Sequence, residues 1–366
     1  MKRSYRIFAT LVVVVGYLSS PLVAREGKSF DLRLQHVSGQ SATASNALGM
    51  EGARSINNIM NGGLSFQSIT TDPTFSGLGF SLGLSNDALT WGWKLNLDFA
   101  DLSASKSEIA SQDYSTLSMS GISIAITSND ILSFSSNKLQ KLNLGYTADI
   151  YAFRSSGAAL QKLGIRVGGR LRSDDLKLSD SLVFTGATMV INGATTNVPM
   201  DINFLNIHKL NYQEHALELL AGISYQYDVT ASTQLDVAAS AIYGKGVGKY
   251  KHDATVMTIL MPSLPPMPST NTFKGDTKLT RTGFLAELGI LHNFNDKYGL
   301  RLFYGLSQIQ STVDESNVKN PNASPLIGLL TGNFSSYIAD STDPMGSNPA
   351  KTDREQRIGL EFKIGL

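Results

Sequence analysis

The sequence of 366 residues contains no cysteine. It also has no large excess of positive or negative charge, with 31 basic and 30 acidic side chains. Without cysteine the chain has no disulfide framework, thiolate nucleophile or cysteine-based metal site. A net charge of +1 lacks the excess of basic residues that is typical of proteins that bind nucleic acid. The five histidines lack metal-ligand spacing. We therefore expect no cofactor and no enzymatic activity, and interpret His208, Glu214 and His215 as polar groups at the rim of a strand.

Long apolar runs are missing except at the N-terminus. Residues 1–6 are basic, residues 7–18 are apolar, and Pro21 to Ala24 ends on a small residue suited to cleavage. Residues 1–24 are therefore predicted to be a signal peptide. No later run approaches the ~20 apolar residues of a membrane-spanning helix. An exported chain of this kind can enter a membrane only through strands, since only helices and closed barrels satisfy their backbone in lipid. The alternative is a soluble periplasmic β-protein.

The last ten residues alternate between polar and apolar without a break. Such alternation is typical of a strand with lipid on one side and a polar lumen on the other. The segment also resembles the C-terminal recognition signal of outer-membrane barrels, so the barrel-assembly machinery is a predicted partner. Its matching positions are Arg357, Gly359, Phe362 and Ile364. The final Leu366 stands where an aromatic residue is more usual.

Similar alternating runs of ~9–15 residues recur along the chain, as membrane strands require, and the connections between them alternate in length. Short turns are predicted at 85–88, 155–157, 228–232 and 295–296, and long connections at 104–138, 181–210, 250–277 and 316–355. The long connection after residue 181 contains a predicted hairpin, 188–198, around Asn192-Gly193. Outer-membrane barrels combine short periplasmic turns with long external loops. We therefore predict an all-β fold, a transmembrane antiparallel β-barrel of 12–14 strands, in the outer membrane of a diderm bacterium.

The predicted inward faces of these strands mix charged and apolar side chains. The apolar ones include Tyr151, Phe153, Leu285 and Phe303. The charged ones are Lys94, Asp98, Asp149, Arg166, Arg170, Glu218, Asp236, Arg281, Glu287, Arg301, Arg357, Glu361 and Lys363. A mixed lumen indicates either side chains packed against each other in a narrow barrel or a channel for apolar molecules.

Two of the long connections are strongly apolar. The segment 257–268 is too rich in proline for a strand or a regular helix, and 321–338 carries paired aliphatic residues. Exposed apolar stretches usually contact a ligand, a membrane or a partner; the alternative is that the loops bury one another as a lid. The predicted capture surface is Met257, Ile259, Leu260, Met261, Leu264, Leu326, Ile327, Leu329 and Leu330, from which a ligand would pass Tyr151, Leu285 and Phe303.

Residues 25–63 alternate too weakly for strands and are predicted to form a plug, or hatch, inside a barrel of residues 64–366. Arg54 to Met60 is predicted as a short helix within it. Gly49 and Gly52 are candidate positions for bending, because glycine tolerates backbone angles that other residues avoid. The alternative is that both glycines only pack closely against the wall.

Three short elements of this plug segment match a known pattern. They are Phe30 with Leu32, the Gly/Ala-rich 48–53, and Asn61 with Leu64, where Gly62-Gly63 replaces a Pro-Ala pair. On these residues the chain resembles the FadL/TodX-type outer-membrane transporters of hydrophobic compounds. The resemblance implies a 14-stranded monomeric barrel, an N-terminal hatch, and passive uptake of long-chain fatty acids or aromatic hydrocarbons.

Two other functions stay open at this point. A general porin for small polar solutes would need a constriction with clustered charges, whereas the predicted inward charges are spread. A surface adhesin or receptor could use the barrel as an anchor and its long loops for binding. The partners expected for the transport function are outer-membrane lipid, lipopolysaccharide and a hydrophobic small molecule, with no nucleic acid.

Overall fold

The computed structural model describes residues 27–57, 67–71, 73–88, 90–119, 122–156, 160–191, 194–198, 207–258, 267–318 and 351–366. Its elements are β1 (Lys28–Gln40), α1 (Ala42–Asn57), β2 (Gln67–Thr71), β3 (Thr74–Asp87), β4 (Trp91–Ala104), β5 (Ser107–Met119), β6 (Ile122–Ser156), β7 (Leu160–Ile191), β8 (Ala194–Val198), β9 (Ile207–Asp228), β10 (Thr233–Thr258), β11 (Met267–Asn293), β12 (Tyr298–Ser316) and β13 (Lys351–Gly365). No helix in these ranges is long and apolar enough to cross a membrane.

The described strands form one antiparallel sheet of 13 strands, and ten of them close into a ring. Around the ring the order is β1, β13, β12, β11, β10, β9, β7, β6, β4, β3 and back to β1. The first and last strands form the closing seam, paired from Ser29↔Gly365 to Gln40↔Arg354. The predicted antiparallel barrel is confirmed, and 13 strands fall within the predicted range although the ring itself is smaller.

The three remaining strands extend the wall beyond the ring on one side. β5 pairs with the first part of β6, β2 pairs with β5, and β8 pairs with the end of β7. The β7–β8 pairing, from Ala187↔Val198 to Ile191↔Ala194, confirms the hairpin predicted around Asn192-Gly193.

Several strands are far longer than the sequence indicated, and the predicted long connections are largely strand. β6 has 35 residues and β7 has 32. Strand continues through most of 104–138 and much of 181–210 and 250–277, whereas most of 316–355 lies outside the described residues. Beyond the lipid both faces of a strand can be polar, so alternation fades. The ladder continues because backbone N–H and C=O groups still need partners. The four predicted short turns are confirmed.

A belt of outward-facing apolar side chains surrounds the half of the ring that carries the short turns. Exposed members include Leu34, Ile165 and Leu219, at 62%, 57% and 60% of their surface. On β9 the outward series then changes from Leu217 to the polar His215. An outward apolar belt with a polar interior is the pattern of a transmembrane β-barrel. The strands rise well past this belt, into what we call the upper half of the barrel.

The N-terminal segment divides between wall and lumen, which corrects the predicted boundary of the plug. β1 pairs with β13 on one side and β3 on the other, so Phe30 and Leu32 lie in the barrel wall and not in a plug. The barrel therefore begins at Lys28 instead of residue 64. The short outward apolar series of β1 and its polar inward face obscured this strand in the sequence. Residues 1–24, which were predicted to be a signal peptide, and Asn61 lie outside the described residues.

Candidate functional site

The barrel lumen is filled in layers along its axis. Near the short turns lies a polar cavity of about 260 Å³. The lumen also contains two sets of buried ion pairs, of which the lower lines this cavity and the upper joins strands on opposite sides of the ring. The upper half is lined by apolar side chains, and helix α1 lies among them. We call these parts the polar cavity, the lower and upper ion networks, and the chamber.

Two residues of the predicted ligand path line the polar cavity. Tyr151 donates from its hydroxyl to Asp87 Oδ1 at 3.0 Å, and Leu285 packs beside Leu220 and Ile242. Phe153, which was predicted to point inward, is 70% exposed on the outside. A register shift between Tyr151 and Phe153 changes which face of β6 is inward. The prediction for Phe153 is therefore wrong, because alternation is lost at a bulge.

The lower ion network closes the lumen at the level of the lipid belt. Arg33 Nε donates to Glu361 Oε2 at 2.8 Å, and Arg33 Nη1 to Glu287 Oε2 at 3.1 Å. Arg301 Nη1 lies 2.8 Å from Glu287 Oε1. The buried Phe303 ring lies between the two arginines, with the Arg33 guanidinium 4.1 Å from its centroid. Phe303 therefore faces the lumen as predicted. Its ring contacts two guanidinium groups, so it does not form part of an open apolar path for a ligand.

The upper ion network crosses the lumen just above the lipid belt. Arg281, 1% exposed at its side chain, contacts Glu214, Glu218 and Asp353 at 3.2, 2.9 and 3.2 Å. Arg172 contacts Asp353 on the strand opposite its own in the ring. The network as a whole holds five cations and five carboxylates, Lys141, Arg170, Arg172, Arg281 and Arg357 with Asp174, Glu214, Glu218, Asp353 and Glu355.

The chamber above this network is apolar and contains the first half of α1. Ala44, Ala47 and Leu48 of the helix are 0% exposed. Buried residues around them come from many strands, Phe75, Leu102, Phe134, Leu139, Leu176, Leu178, Leu210, Tyr212, Tyr250, Phe273 and Val313. A helix buried on all sides over this stretch is part of a core and not a surface element.

Local chemistry explains why a helix begins at Ala42. Ser41 Oγ accepts from the Ala44 backbone N–H at 3.4 Å, and the Ser41 carbonyl accepts from Ser45 N at 3.0 Å. A serine in this position caps the free N–H groups of the first turn. The helix spans 42–57, so it starts well before the predicted 54–60. Gly49 and Gly52 lie within it, and their role in bending stays a prediction.

Helix α1 is fastened to the upper ion network by polar side chains of its first two turns. Thr43 Oγ1 lies 2.9 Å from Asp174 Oδ2 and 3.0 Å from Glu214 Oε2. Asn46 Nδ2 makes longer contacts, 3.3 Å to Ser311 Oγ and 3.5 Å to Glu214 Oε1. The same carboxylates therefore form the floor of the chamber and bind the helix that fills it.

The two carboxyls beside Thr43 have opposite pKa shifts. Burial raises the pKa of Glu214, and Arg281 offsets this only in part. Burial also raises the pKa of Asp174, but Arg172 and Lys141 outweigh it and hold that pKa well below its usual range. Arg172 binds Asp174 with Nε at 3.0 Å and Nη2 at 2.6 Å. Glu214 therefore binds a proton more readily than Asp174 does.

Most of these residues were missed by reasoning from sequence. Glu214 was interpreted as a rim residue, whereas it is 3% exposed in the centre of the network. Thr43, Asp174 and Asp353 were not singled out. The inward position of Asp174 and Asp353 follows only if strand alternation is continued past the apolar belt, where the sequence gives little contrast between faces, and the position of Thr43 follows only from helix α1.

The predicted capture surface lies almost entirely outside the described residues. Met257 is the exception, and its backbone pairs with Pro268 at the end of the β10–β11 ladder. The segment 257–268 was predicted to contain no strand, but β10 ends at Thr258 and β11 begins at Met267, so both ends of this segment are strand. The residues whose positions the structure does not describe are Ile259, Leu260, Met261, Leu264, Leu326, Ile327, Leu329 and Leu330.

Fold and lumen together define a closed transmembrane β-barrel whose upper half holds an internal helix. Across the described ranges, no group of three or more His, Asp or Glu residues is placed to hold a metal ion. No protein-family model matches the chain, and no curated protein matches it in sequence.

Several solved structures are similar in shape. The outer membrane protease OmpT from Escherichia coli has a TM-score of 0.41 at 7% identity, over 95% of this chain and 99% of its own. The toluene transporter TodX from Pseudomonas putida has a TM-score of 0.23 at 6% identity, over 94% of this chain and 90% of its own. The monoaromatic hydrocarbon channel CymD has a TM-score of 0.21 at 8% identity, over 93% of this chain and 89% of its own. At TM-scores and identities this low, none of them establishes an activity for this chain.

Proposed function

We propose that this barrel is an outer-membrane channel for the passive uptake of hydrophobic molecules, such as long-chain fatty acids or aromatic hydrocarbons. The chamber is the observation that carries the proposal. Its wall is apolar at the end that faces away from the short, periplasmic turns, where a pore for polar solutes would need a hydrated lining. An apolar ligand there would be held by burial, at ~25 cal/mol per Å² of apolar surface.

Helix α1 takes the place that the ligand needs. Its Ala44, Ala47 and Leu48 side chains fill the chamber, so the helix has to tilt away before a molecule from the capture segments 257–267 and 326–330 can enter. Below the chamber the ion networks block a straight route. Onward movement therefore needs either a rearrangement of the networks or a sideways exit through the wall.

The experiment compares the wild-type barrel with a variant that lacks residues 42–57. Deletion must spare β1, because residues 28–40 belong to the wall. Cells with the wild-type barrel should show saturable uptake of oleate or toluene above barrel-free cells. The purified deletion variant should bind a neutral, environment-sensitive dye more strongly than wild type, while sugar influx into vesicles stays low because the ion networks remain.

A matched pair of substitutions in the deletion variant assigns the binding to the chamber. Leu176→Asp puts a charge on the chamber wall and should reduce dye binding. Ser173→Asp, on the same strand but facing outward, should leave dye binding unchanged. Absence of apolar uptake by the wild type, together with no dye binding by either form, would refute the channel.

A second function is favoured by a different observation. Buried ion pairs occupy the lumen in two layers, and the upper layer joins opposite strands of the ring, which suits a barrel that serves as a rigid anchor for a surface receptor or adhesin. Binding of a host or matrix protein without any uptake of apolar solute would support this reading. A general porin is disfavoured, because the same ion pairs occupy the lumen that a polar solute would cross.

Lipopolysaccharide is a proposed neighbour of the wall. Lys245, Lys249 and Lys251 face outward on β10, above the apolar belt, where lipid phosphates would lie. Basic side chains at a membrane surface are attracted to anionic headgroups. Vesicles that contain lipopolysaccharide should protect these lysines from acetylation better than vesicles of neutral lipid.

A further inference from the structure

Thr43 touches two carboxylates with a single proton to offer. Its Oγ1 is 2.9 Å from Asp174 Oδ2 and 3.0 Å from Glu214 Oε2, both of which are hydrogen-bonding distances. A hydroxyl has one donor hydrogen, so it can donate to only one of the two. If both carboxyls were ionised, the other contact would join two acceptors across a buried gap. A proton on one of the two carboxyls would allow both contacts to be hydrogen bonds at the same time.

The neighbouring cations decide which carboxyl carries that proton. Asp174 is bound by Arg172 through two nitrogens, a geometry that favours the charged carboxylate. Glu214 has one arginine contact, from Arg281 Nη1 at 3.2 Å, and that arginine is shared with Glu218 and Asp353. The hydrogen-bond chain is then complete if Glu214 donates to Thr43 and Thr43 donates to Asp174.

We propose that a proton held on Glu214 fastens helix α1 in the chamber, and that loss of this proton releases the helix to tilt outward. We call this contact the proton latch. It rests on the proposed function in one respect: its use would be to control the access of a ligand to the chamber. Its physical basis is the conflict between Glu214 and Thr43 when the carboxyl becomes charged.

The groups around Glu214 act in both directions: burial and Asp174 raise its pKa, and together they outweigh Arg281, Arg172 and the Thr43 hydroxyl, which lower it. Burial raises the pKa of Glu214, so the proton stays bound at pH values where an exposed glutamate is ionised. The charged and titratable groups that face it from the surrounding strands are Lys141 on β6, Arg172 and Asp174 on β7, Tyr212 and Glu218 on β9, Arg281 on β11 and Asp353 on β13. β10 faces it with Gly248 and β12 with Ser311, which carry no charge.

The direction of the pH effect follows from linkage. Glu214 would be more hydrated once the helix has left, which lowers its pKa, so the proton binds more tightly when the helix is in place. The latch is therefore intact at low pH and is lost as the pH rises through the pKa of Glu214 in the fastened state. Between the pKa of Glu214 in the released state and its pKa in the fastened state, the ratio of released to fastened helix grows by up to about tenfold per pH unit, and above the fastened-state pKa this ratio is constant.

The absence of natural cysteine makes the helix position directly measurable. Ala47→Cys places one thiol on a helix residue that is 0% exposed. Labelling of the purified full-length barrel by a water-soluble maleimide is measured between about pH 5 and about pH 9, a range that brackets a raised glutamate pKa. Ala231→Cys, exposed in a short turn, corrects for the intrinsic pH dependence of thiol reactivity.

The corrected labelling rate should rise at least severalfold with pH in the otherwise wild-type protein. Glu214→Gln keeps a donor toward Thr43 without a charge and should stay protected at every pH. Thr43→Val removes the latch and should label rapidly at every pH. Glu315→Gln, an exposed carboxylate on β12, should behave as wild type.

Two results would overturn the latch: the same pH dependence in Glu214→Gln as in wild type, or protection of Ala47→Cys that does not change with pH. Uptake assays are separate from this measurement. Labelling that follows the expected pattern without any apolar uptake would keep the latch and reject the transport function.

Discussion

Arg33 and Glu361 are 328 positions apart in the chain, yet Arg33 Nε donates to Glu361 Oε2 at 2.8 Å across the closing seam. They are direct register partners, one on the first strand and one on the last. Lys94 Nζ, 3.1 Å from the same carboxylate, adds a cation from β4. Closure of the ring is therefore accompanied by a buried ionic contact inside the lumen.

Replacing Arg33 with methionine should strongly destabilise the barrel. The change leaves Glu361 and Glu287 with fewer cations in a buried site, which costs roughly 3–5 kcal/mol. Urea unfolding in lipid vesicles, followed by tryptophan fluorescence, measures the free energy of unfolding. Lys278→Met, which removes an exposed ion pair with Glu315, is the control and should leave that free energy near the wild-type value. Equal effects of the two variants would contradict the role of the seam contact.

Gly289 is required by the lower ion network. A Cβ at this position would collide with the guanidinium of Arg301, which is bound to Asp236 and Glu287. Gly289→Ala should therefore lower the free energy of unfolding by about 1–3 kcal/mol. Gly305→Ala is a matched control, since its nearest atoms are Arg357 Cβ at 3.7 Å and Ala286 O at 3.8 Å. A Gly289→Ala barrel as stable as Gly305→Ala would show that Arg301 moves aside at no cost.

We expect two roles in assembly for Phe362, contact with lipid and part of the predicted recognition signal, and one substitution tests both. It faces outward in the apolar belt, 38% exposed, and its ring stacks on Tyr298 at 6.0 Å. Phe362→Asp puts a charge toward lipid, at ~2 kcal/mol or less depending on depth, and changes the C-terminal recognition signal. The heat-modifiable folded form in the outer membrane should drop sharply.

The control for that experiment lies on the same face of β13. Gln356→Asp introduces the same charge above the apolar belt, where water or sugar replaces lipid. Its yield of folded barrel should stay near wild type. An undiminished yield for Phe362→Asp would mean that neither the belt nor the signal depends on this ring.

Topology can be tested with inserted epitopes. The short turn of residues 294–297, between β11 and β12, should face the periplasm, and the connection near Pro265 should face outward. An antibody should therefore bind intact cells that carry the epitope at Pro265, but not cells that carry it between Asn295 and Asp296. Permeabilised cells provide the control in which both are reached. The reverse pattern of antibody binding would show that the barrel has the opposite orientation in the membrane.

The fold was predictable wherever lipid imposes a contrast between the two faces of a strand. The inward positions of Glu218, Arg281 and Glu287 followed from alternation and are confirmed. The upper half offered no such contrast, because its outer surface is polar. Strand there was consequently interpreted as loop, and Glu214 as a rim residue.

The plug region shows a second limit of sequence reasoning. The first turns of α1 are small or polar, Ala-Thr-Ala-Ser-Asn-Ala, and show no apolar stripe. Their helical state depends on an enclosure formed by strands distant in the chain, which no local pattern reveals. β1 was missed for a related reason, since its apolar face is short and its polar face is specified by partners such as Glu361.

Ser41 alone separates the end of β1 at Gln40 from the start of α1 at Ala42. Such a short tether to the barrel wall keeps a released helix near its own binding site, at an effective concentration in the millimolar range or above. Reseating is then intramolecular, so its rate does not depend on how many barrels the membrane contains. A displaced helix would compete with every bound ligand for the same space, and departure of the ligand would be enough to close the barrel again.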